Sequence, residues 1–267
     1  MFFIVPLRSL KQKNMKKSIK TPLFLFVLFS LCNNVFGQVI NHNNDIWLHY
    51  LGKNTIGKKL SLTLEGSLIF ANGFDQKQQY FIRPSVDYQF TKQISGSIGY
   101  THHEFFVYGD VPLNRVVTPE DNVWIQGVYS CAKNDFKFTH RLRDESRWVG
   151  VATKNEAGDF VITNRDYRNR LRYMYLVNYT LTKKEDKTQL FAFLGDEIFM
   201  NIGVKAAKTF VQQNRVIAGL GYNLNPQHQI QISYIHQNLW NVPNTIQENN
   251  PTLRISYVTN LDWSKKK

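Results

Sequence analysis

Cysteine is scarce in this chain: its 267 residues hold only Cys32 and Cys131. Two cysteines support neither a four-cysteine zinc site nor a disulfide framework. Histidine is sparse as well, with seven copies. The stretch "THHE" gathers His102, His103 and Glu104, but adjacent side chains on a strand point to opposite faces, so no metal site is expected. No apolar run approaches the roughly 20 residues that a membrane-crossing helix needs. The longest, Pro22 to Leu31, has about half that length, and nothing after it shows the 3.6-residue period of a long amphipathic helix. G-x-S-x-G, a phosphate loop and a dinucleotide fingerprint are all missing. These absences leave no catalytic residue to assign and no cofactor to expect.

The apolar run has a different use. Lys16, Lys17 and Lys20 precede it, and "NNVFGQ" follows. A basic region, a short apolar region and a small residue before the cut form a secretory signal peptide. Residues 1–37 are read as that leader, with Met15 as an alternative start and Gln38 opening the mature chain. Cys32 belongs to the leader, because Leu31 is too large for the position before a lipid-bearing cysteine. Acidic residues are also few, 20 against 33 basic, for a net charge of +13. Six of the basic residues lie in the leader, which leaves +7 on the mature chain. An exported chain does not meet cytoplasmic nucleic acid, so this excess does not mark a nucleic-acid surface.

What the mature sequence does contain is alternation with a period of two, the mark of strands with two unlike faces. In "LSLTLEGSLIF", Leu60, Leu62, Leu64 and Leu68 oppose Ser61, Thr63, Glu65 and Ser67. "YFIRPSVDYQF" sets Ile82, Val86 and Tyr88 against Arg83, Ser85 and Asp87. The same pattern runs through "FKFTHRLRDESRW", "YRNRLRYMYLVNYTL", "FVQQNRVIAGLGYNL", "HQIQISYIHQN" and "TLRISYVTNLDW". Short polar turns at 91–93, 133–135, 183–187 and 225–227 alternate with longer connections near 71–78, 105–121, 149–166, 202–208 and 239–251. Strands of ten to fifteen residues match or exceed the roughly 9–11 that cross a bilayer when tilted. Aromatic residues sit near strand ends, where interface girdles lie.

These features predict one all-β domain over residues 38–267. It is a transmembrane antiparallel up-and-down β-barrel of ten to twelve strands, with short periplasmic turns and longer extracellular loops. Ten strands follow from Leu60 onward. "DIWLHYLG", Asp45 to Gly52, is an additional candidate that makes the total odd unless 38–44 is recruited too. The expected location is the cell outer membrane. The expected partners are its lipid and lipopolysaccharide and, during insertion, the barrel-assembly machinery; the ligand is unknown.

If the apolar face meets lipid, the other parity faces the lumen. That places Glu65, Arg83, Asp87, Arg141, Arg143, Glu145, Arg147, Arg168, Arg170, Arg172, Arg215 and Arg254 inside. Arginine on the lipid face at mid-membrane costs about 2–4 kcal/mol, so the parity is enforced. Two readings of this set stand. Charges of both signs fill a narrow barrel as a hydrogen-bonded network, or the excess of arginine makes an anion-attracting pore or pocket. The segment 188–199 resists this scheme, because Glu197 shares parity with Phe191 and Phe193; a bulge that shifts the register is expected there. One enzymatic alternative rests on "SYIHQNLWN", which resembles the strand end of outer-membrane lipid A deacylases. There a His-x-Ser-Asn step supplies base and nucleophile, whereas His236 is followed by Gln237 and Asn238. Ser233, three residues earlier, falls on the opposite face.

Five segments carry a broader resemblance: "DIWLHY", "RLRDESRW", "RNRLRYMY", "DEIFMN" (Asp196 to Asn201) and "QQNRVIAGLGY" (Gln212 to Tyr222). In that order they resemble domain-of-unknown-function family 2490, predicted outer-membrane proteins of Gram-negative bacteria. The resemblance covers nearly all of the mature chain. It implies an architecture and a location, and no catalytic residue.

Overall fold

The computed structural model describes residues 39–203, 209–241 and 244–264. The leader expected at residues 1–37 lies outside them. The described chain is all β. Its strands are β1 (Val39–His42), β2 (Asp45–Thr55), β3 (Leu60–Ala71), β4 (Gln76–Gln89), β5 (Ile94–Phe105), β6 (Thr118–Lys133), β7 (Phe136–Lys154), β8 (Phe160–Lys184), β9 (Lys187–Ile202), β10 (Val211–Asn225), β11 (His228–Trp240) and β12 (Ile246–Asp262).

Neighbours in sequence pair antiparallel from β2 through to β12, and β12 returns to pair with β2. Eleven strands therefore close a barrel without a free edge, the only way a sheet removes its edges entirely. The closing pair is parallel, with Thr252 opposite Asp45 and Asp262 opposite Thr55. This departs from a wholly antiparallel barrel. The cause is the odd strand number, which makes the first and last strands run the same way. Residues 39–42 do not add a separate staff. They form β1, which runs parallel along the upper part of β12 with Val39 opposite Ile246. β1 and β2 thus follow the same strand one after the other, broken at Asn43–Asn44.

The connections at one end are short, at 56–59, 90–93, 134–135, 185–186 and 226–227. Asn134, Glu185 and Asp186 take positive φ there, the backbone that a tight hairpin requires. The other end carries the remaining connections, of which 106–117 is the longest fully described one. The region 149–166 is mostly strand, not loop. β7 and β8 stay paired out to Lys154 opposite Phe160, and only 155–159 turn the chain.

The period of two decides where each side chain goes. Outward are Leu64, Ile82, Ile98, Ile125, Leu142, Leu194, Leu220, Ile232 and Leu253, all exposed although large and apolar. Rings bound this band. At the short-turn end Tyr88 packs on Phe90 at 5.1 Å and Phe136 on Tyr179 at 4.8 Å; at the other end Trp148 packs edge-on against Tyr167 at 5.6 Å. From Phe136 to Trp148 along β7 is about 40 Å at ~3.3 Å per residue, or a height of about 30 Å at a tilt of roughly 40°.

The irregularity in 188–199 lies at its start, where the pairing with β8 shifts register around Thr188–Phe191 opposite Thr180–Lys183, and not between Phe193 and Glu197. β9 pairs regularly with β10 from Leu190 opposite Tyr222 to Phe199 opposite Gln213. Phe191, Phe193 and Phe199 share the inward face with Glu197, and all four are buried. Space for the rings comes from β10. A Cβ on Gly219 would stand 2.6 Å from the Phe193 ring, and one on Gly221 would stand 2.1 Å from Phe191. Trp47, Ile69, Phe191, Phe193, Ile217 and Ile235 form an apolar cluster inside the barrel. The lumen is thus part hydrophobic core, which a strict lipid-side reading of apolar residues misses.

Candidate functional site: the arginine-lined lumen

A cavity of about 1040 Å³ occupies the lumen. Its lining reaches from Lys53, Asp87 and Asn260 near the short turns to Leu113, Trp240 and Thr245 near the long connections. Eleven of the twelve charged residues read as inward line it; the twelfth, Glu145, is enclosed among them with no exposed surface.

The network is built by cross-strand pairing. β7 presents Arg143, Glu145 and Arg147 directly opposite Arg172, Arg170 and Arg168 of β8. Glu145 accepts from Arg170 Nε at 2.7 Å and Arg172 Nη1 at 2.7 Å. Arg172 turns its other edge to Glu197, donating from Nε at 2.9 Å and Nη2 at 2.7 Å, and Arg141 Nη2 reaches the same carboxylate at 2.6 Å. Arg147 grips Glu120 with both arms of its fork, at 2.8 and 2.6 Å. Across the lumen Arg83 Nη1 donates to Glu65 at 2.9 Å, and His49 Nε2 lies 3.2 Å from the same group. Two-armed pairing of this kind suits a planar guanidinium and fixes its direction.

Aromatic faces supply the second kind of support. Arg172 lies over Phe199 at 4.2 Å, Arg143 over Trp124 at 4.0 Å, Arg83 over Phe81 at 4.6 Å, and Arg215 over Trp47 at 4.7 Å. A desolvated cation over a ring gains up to about 2 kcal/mol. The rings therefore hold the guanidiniums in place without cancelling their charge.

Not every arginine has a carboxylate. Arg143 donates to the Gln126 amide oxygen at 2.9 and 2.7 Å. Its Nη1 is buried without a hydrogen-bond partner and lies 3.8 Å from Glu145. Arg215 Nε donates to Gln237 Oε1 at 2.8 Å, and Arg254 Nε to Ser233 Oγ at 3.2 Å. In the middle of the lumen eight arginines (83, 141, 143, 147, 170, 172, 215 and 254) meet four glutamates (65, 120, 145 and 197). Two of the twelve stand apart. Asp87 accepts from Thr63 Oγ1 at 2.5 Å, and Arg168 is 3.8 Å from Asp166.

A family model described as "Protein of unknown function (DUF2490)" matches residues 44–248. The chain belongs to this family. No curated protein and no solved structure matches it. In this DUF2490 chain the matched span runs from just before β2 to Glu248 on β12. It takes in the whole charged lining apart from Arg254.

The long-connection end of the DUF2490 barrel carries a group that the sequence did not announce. The connection 106–117 turns inward, so that Tyr108 is buried and its hydroxyl donates to Glu248 Oε2 at 2.6 Å. Burial, and then the neighbouring Glu248 carboxylate, push this phenol well above its usual pKa, so it stays a donor. Gly109 makes the turn at φ +72°, where an added Cβ would stand 2.8 Å from Asn43 Oδ1. Its amide donates to Gln76 Oε1 at 2.8 Å. Pro112, Leu113, Asn114 and Arg115 line the cavity from above.

The histidines separate as their parity requires. His103 points inward and meets the Gln79 carboxamide at 2.6 Å; His102 points outward to Asp121 at 2.8 Å. Among the described residues no group of three or more His, Cys, Asp or Glu is placed to hold a metal ion. His236 lies 3.4 Å from the Tyr234 hydroxyl on the outer face, while buried Ser233 accepts from Arg254 within the lumen. The serine nearest in sequence is thus on the wrong side of the sheet for a base and nucleophile to meet.

Sequence reasoning missed Glu120, Glu197, Trp124, Trp47 and Phe199. Glu120 sits in a region whose polar, proline-bearing composition reads as a connection. Glu197 carried a usable signal, since a buried carboxylate two residues from Phe199 needs arginine partners.

Proposed function

We propose that this chain is a non-enzymatic outer-membrane barrel whose lumen attracts and holds small anions. The observation that carries the proposal is the division of its surface. The exterior is a band of exposed apolar side chains about 30 Å tall at the strand tilt that membrane barrels adopt, edged by rings. The charges lie within. Soluble monomers rarely expose apolar patches beyond a few hundred Å², whereas a bilayer takes such a band with no penalty. The leader read at residues 1–37 supplies the export route, and the barrel-assembly machinery would insert the strands. Lipid and lipopolysaccharide then cover the band.

The lumen reading rests on the eight arginines against four glutamates. A guanidinium does not lose its proton in a protein, so the excess is a standing positive field focused by a low-dielectric wall. Fractionation tests the location. The chain is expected in the outer membrane, and in gels the unboiled protein should migrate differently from the boiled one. A soluble fraction with a single mobility would end the reading. For the lumen, any current through planar bilayers under a salt gradient should be anion-selective; cation selectivity would contradict it.

A further inference from the structure

Resting on the reading of the lumen as an anion-attracting chamber, we propose that Arg141, Arg143, Arg215 and Arg254 form a binding site for a multivalent oxyanion. That class is shared by phosphorylated and polycarboxylated small molecules. The four side chains come from three strands, β7, β10 and β12, and line one cavity. Arg141 and Arg143 share the inward face of β7, Arg215 stands in register opposite Glu197, to which Arg141 bonds, and Arg215 and Arg254 both reach side chains of β11, Gln237 and Ser233. Three of them lack a carboxylate within hydrogen-bonding distance. Arg143 and Arg215 bond to amide oxygens and Arg254 to a hydroxyl. The fourth, Arg141, spends Nη2 on Glu197 and leaves a buried Nε without a partner.

Buried charge is tolerated only when compensated. Arginine has no means of escape by deprotonation. Glu145, 3.8 Å from Arg143, and Glu197, already shared by Arg141 and Arg172, compensate the four only in part, which leaves room for an anion from outside the chain. Water solvates a guanidinium but does not neutralise it. Chloride brings one charge and no fork geometry. An oxyanion with two or more charged oxygens matches several N–H donors at once, which is the pairing that guanidiniums favour. Arg143 on Trp124 and Arg215 on Trp47 are held by ring faces, so their donors are fixed in direction before the ligand arrives.

The experiment uses the full mature chain, folded in detergent and verified by heat-modifiable migration. Inorganic phosphate and citrate are titrated calorimetrically against chloride at equal ionic strength. Saturable binding of phosphate, citrate or both is expected, and which of the two binds more tightly identifies the ligand chemistry. Arg254→Gln and Arg143→Gln should each weaken that binding about tenfold, as loss of a charged hydrogen bond does. Arg254→Lys, which keeps the charge without the fork, should fold and bind with intermediate strength. Lys183→Gln at the exposed turn serves as the control and should change nothing. Heats no larger than those of chloride, in protein that still shows heat-modifiable migration, overturn the site and leave the outer-membrane reading standing. Unchanged affinity in both Arg254→Lys and Arg254→Gln does the same.

Discussion

Glu145 accepts from Arg170 and Arg172 together, and its removal leaves two buried guanidiniums short of an anion. Breaking a buried pair by deleting one partner costs about 3–5 kcal/mol. Glu145→Ala should therefore lower the urea midpoint of the detergent-folded barrel by that much stability; an unchanged midpoint would mean that the arginines find other compensation. At this scale the sequence reveals direction better than partnership. The inward parity of Arg141, Arg143, Arg147, Arg170 and Arg172 was legible, because an arginine on the apolar face is so costly. Which carboxylate each one meets was not. Arg141 and Glu197 lie 56 positions apart and meet only because Met174 of β8 sits between them in register.

β7 shows what a strand can disclose and what it hides. Along "HRLRDESRW" the arginines point in while Leu142 points out, between Phe136 and Trp148. Leu142→Arg should destabilise the inserted barrel by about 2–4 kcal/mol, the cost of this residue near the midplane, measured as reduced folding into lipid vesicles. A neutral effect would place water, not lipid, against this face. The alternation that locates Leu142 was readable throughout the apolar band. Beyond it the signal fades: β7 and β8 run on to Lys154 and Phe160, where apolar residues stand on both parities, as in Phe160, Val161 and Ile162, and no period of two separates the faces. β9 misleads for the opposite reason. Its phenylalanines face inward against Gly219 and Gly221, so apolar parity and outward parity part company.

For the molecule as a whole the odd strand number has a geometric result. The described chain starts at the long-connection end, where the Val39 amide bonds to the Thr245 carbonyl, and finishes at the short-turn end, where that of Trp263 bonds to Thr55. With the short turns in the periplasm, an epitope inserted before Val39 should be detected by antibody on intact cells, and one placed after Ser264 only after permeabilisation. Detection of both, or of the second alone, would reverse or refute the orientation. The architecture, a single barrel of ten to twelve strands, was legible from turn spacing and strand length. The parallel seam was not, because it depends on an exact count and on β1 and β2 acting in succession.

That seam also sets an order in time. It joins His49 to Ser256, 207 positions later, so β2 has no lasting partner on one side until β12 has emerged. Contacts this distant in sequence are the slowest to form. Every intermediate before them is an open sheet with two unpaired edges, the kind that invites pairing with other chains. The ring closes through β12, and a chain that stops short of β12 lacks the strand that both β11 and β2 pair with here.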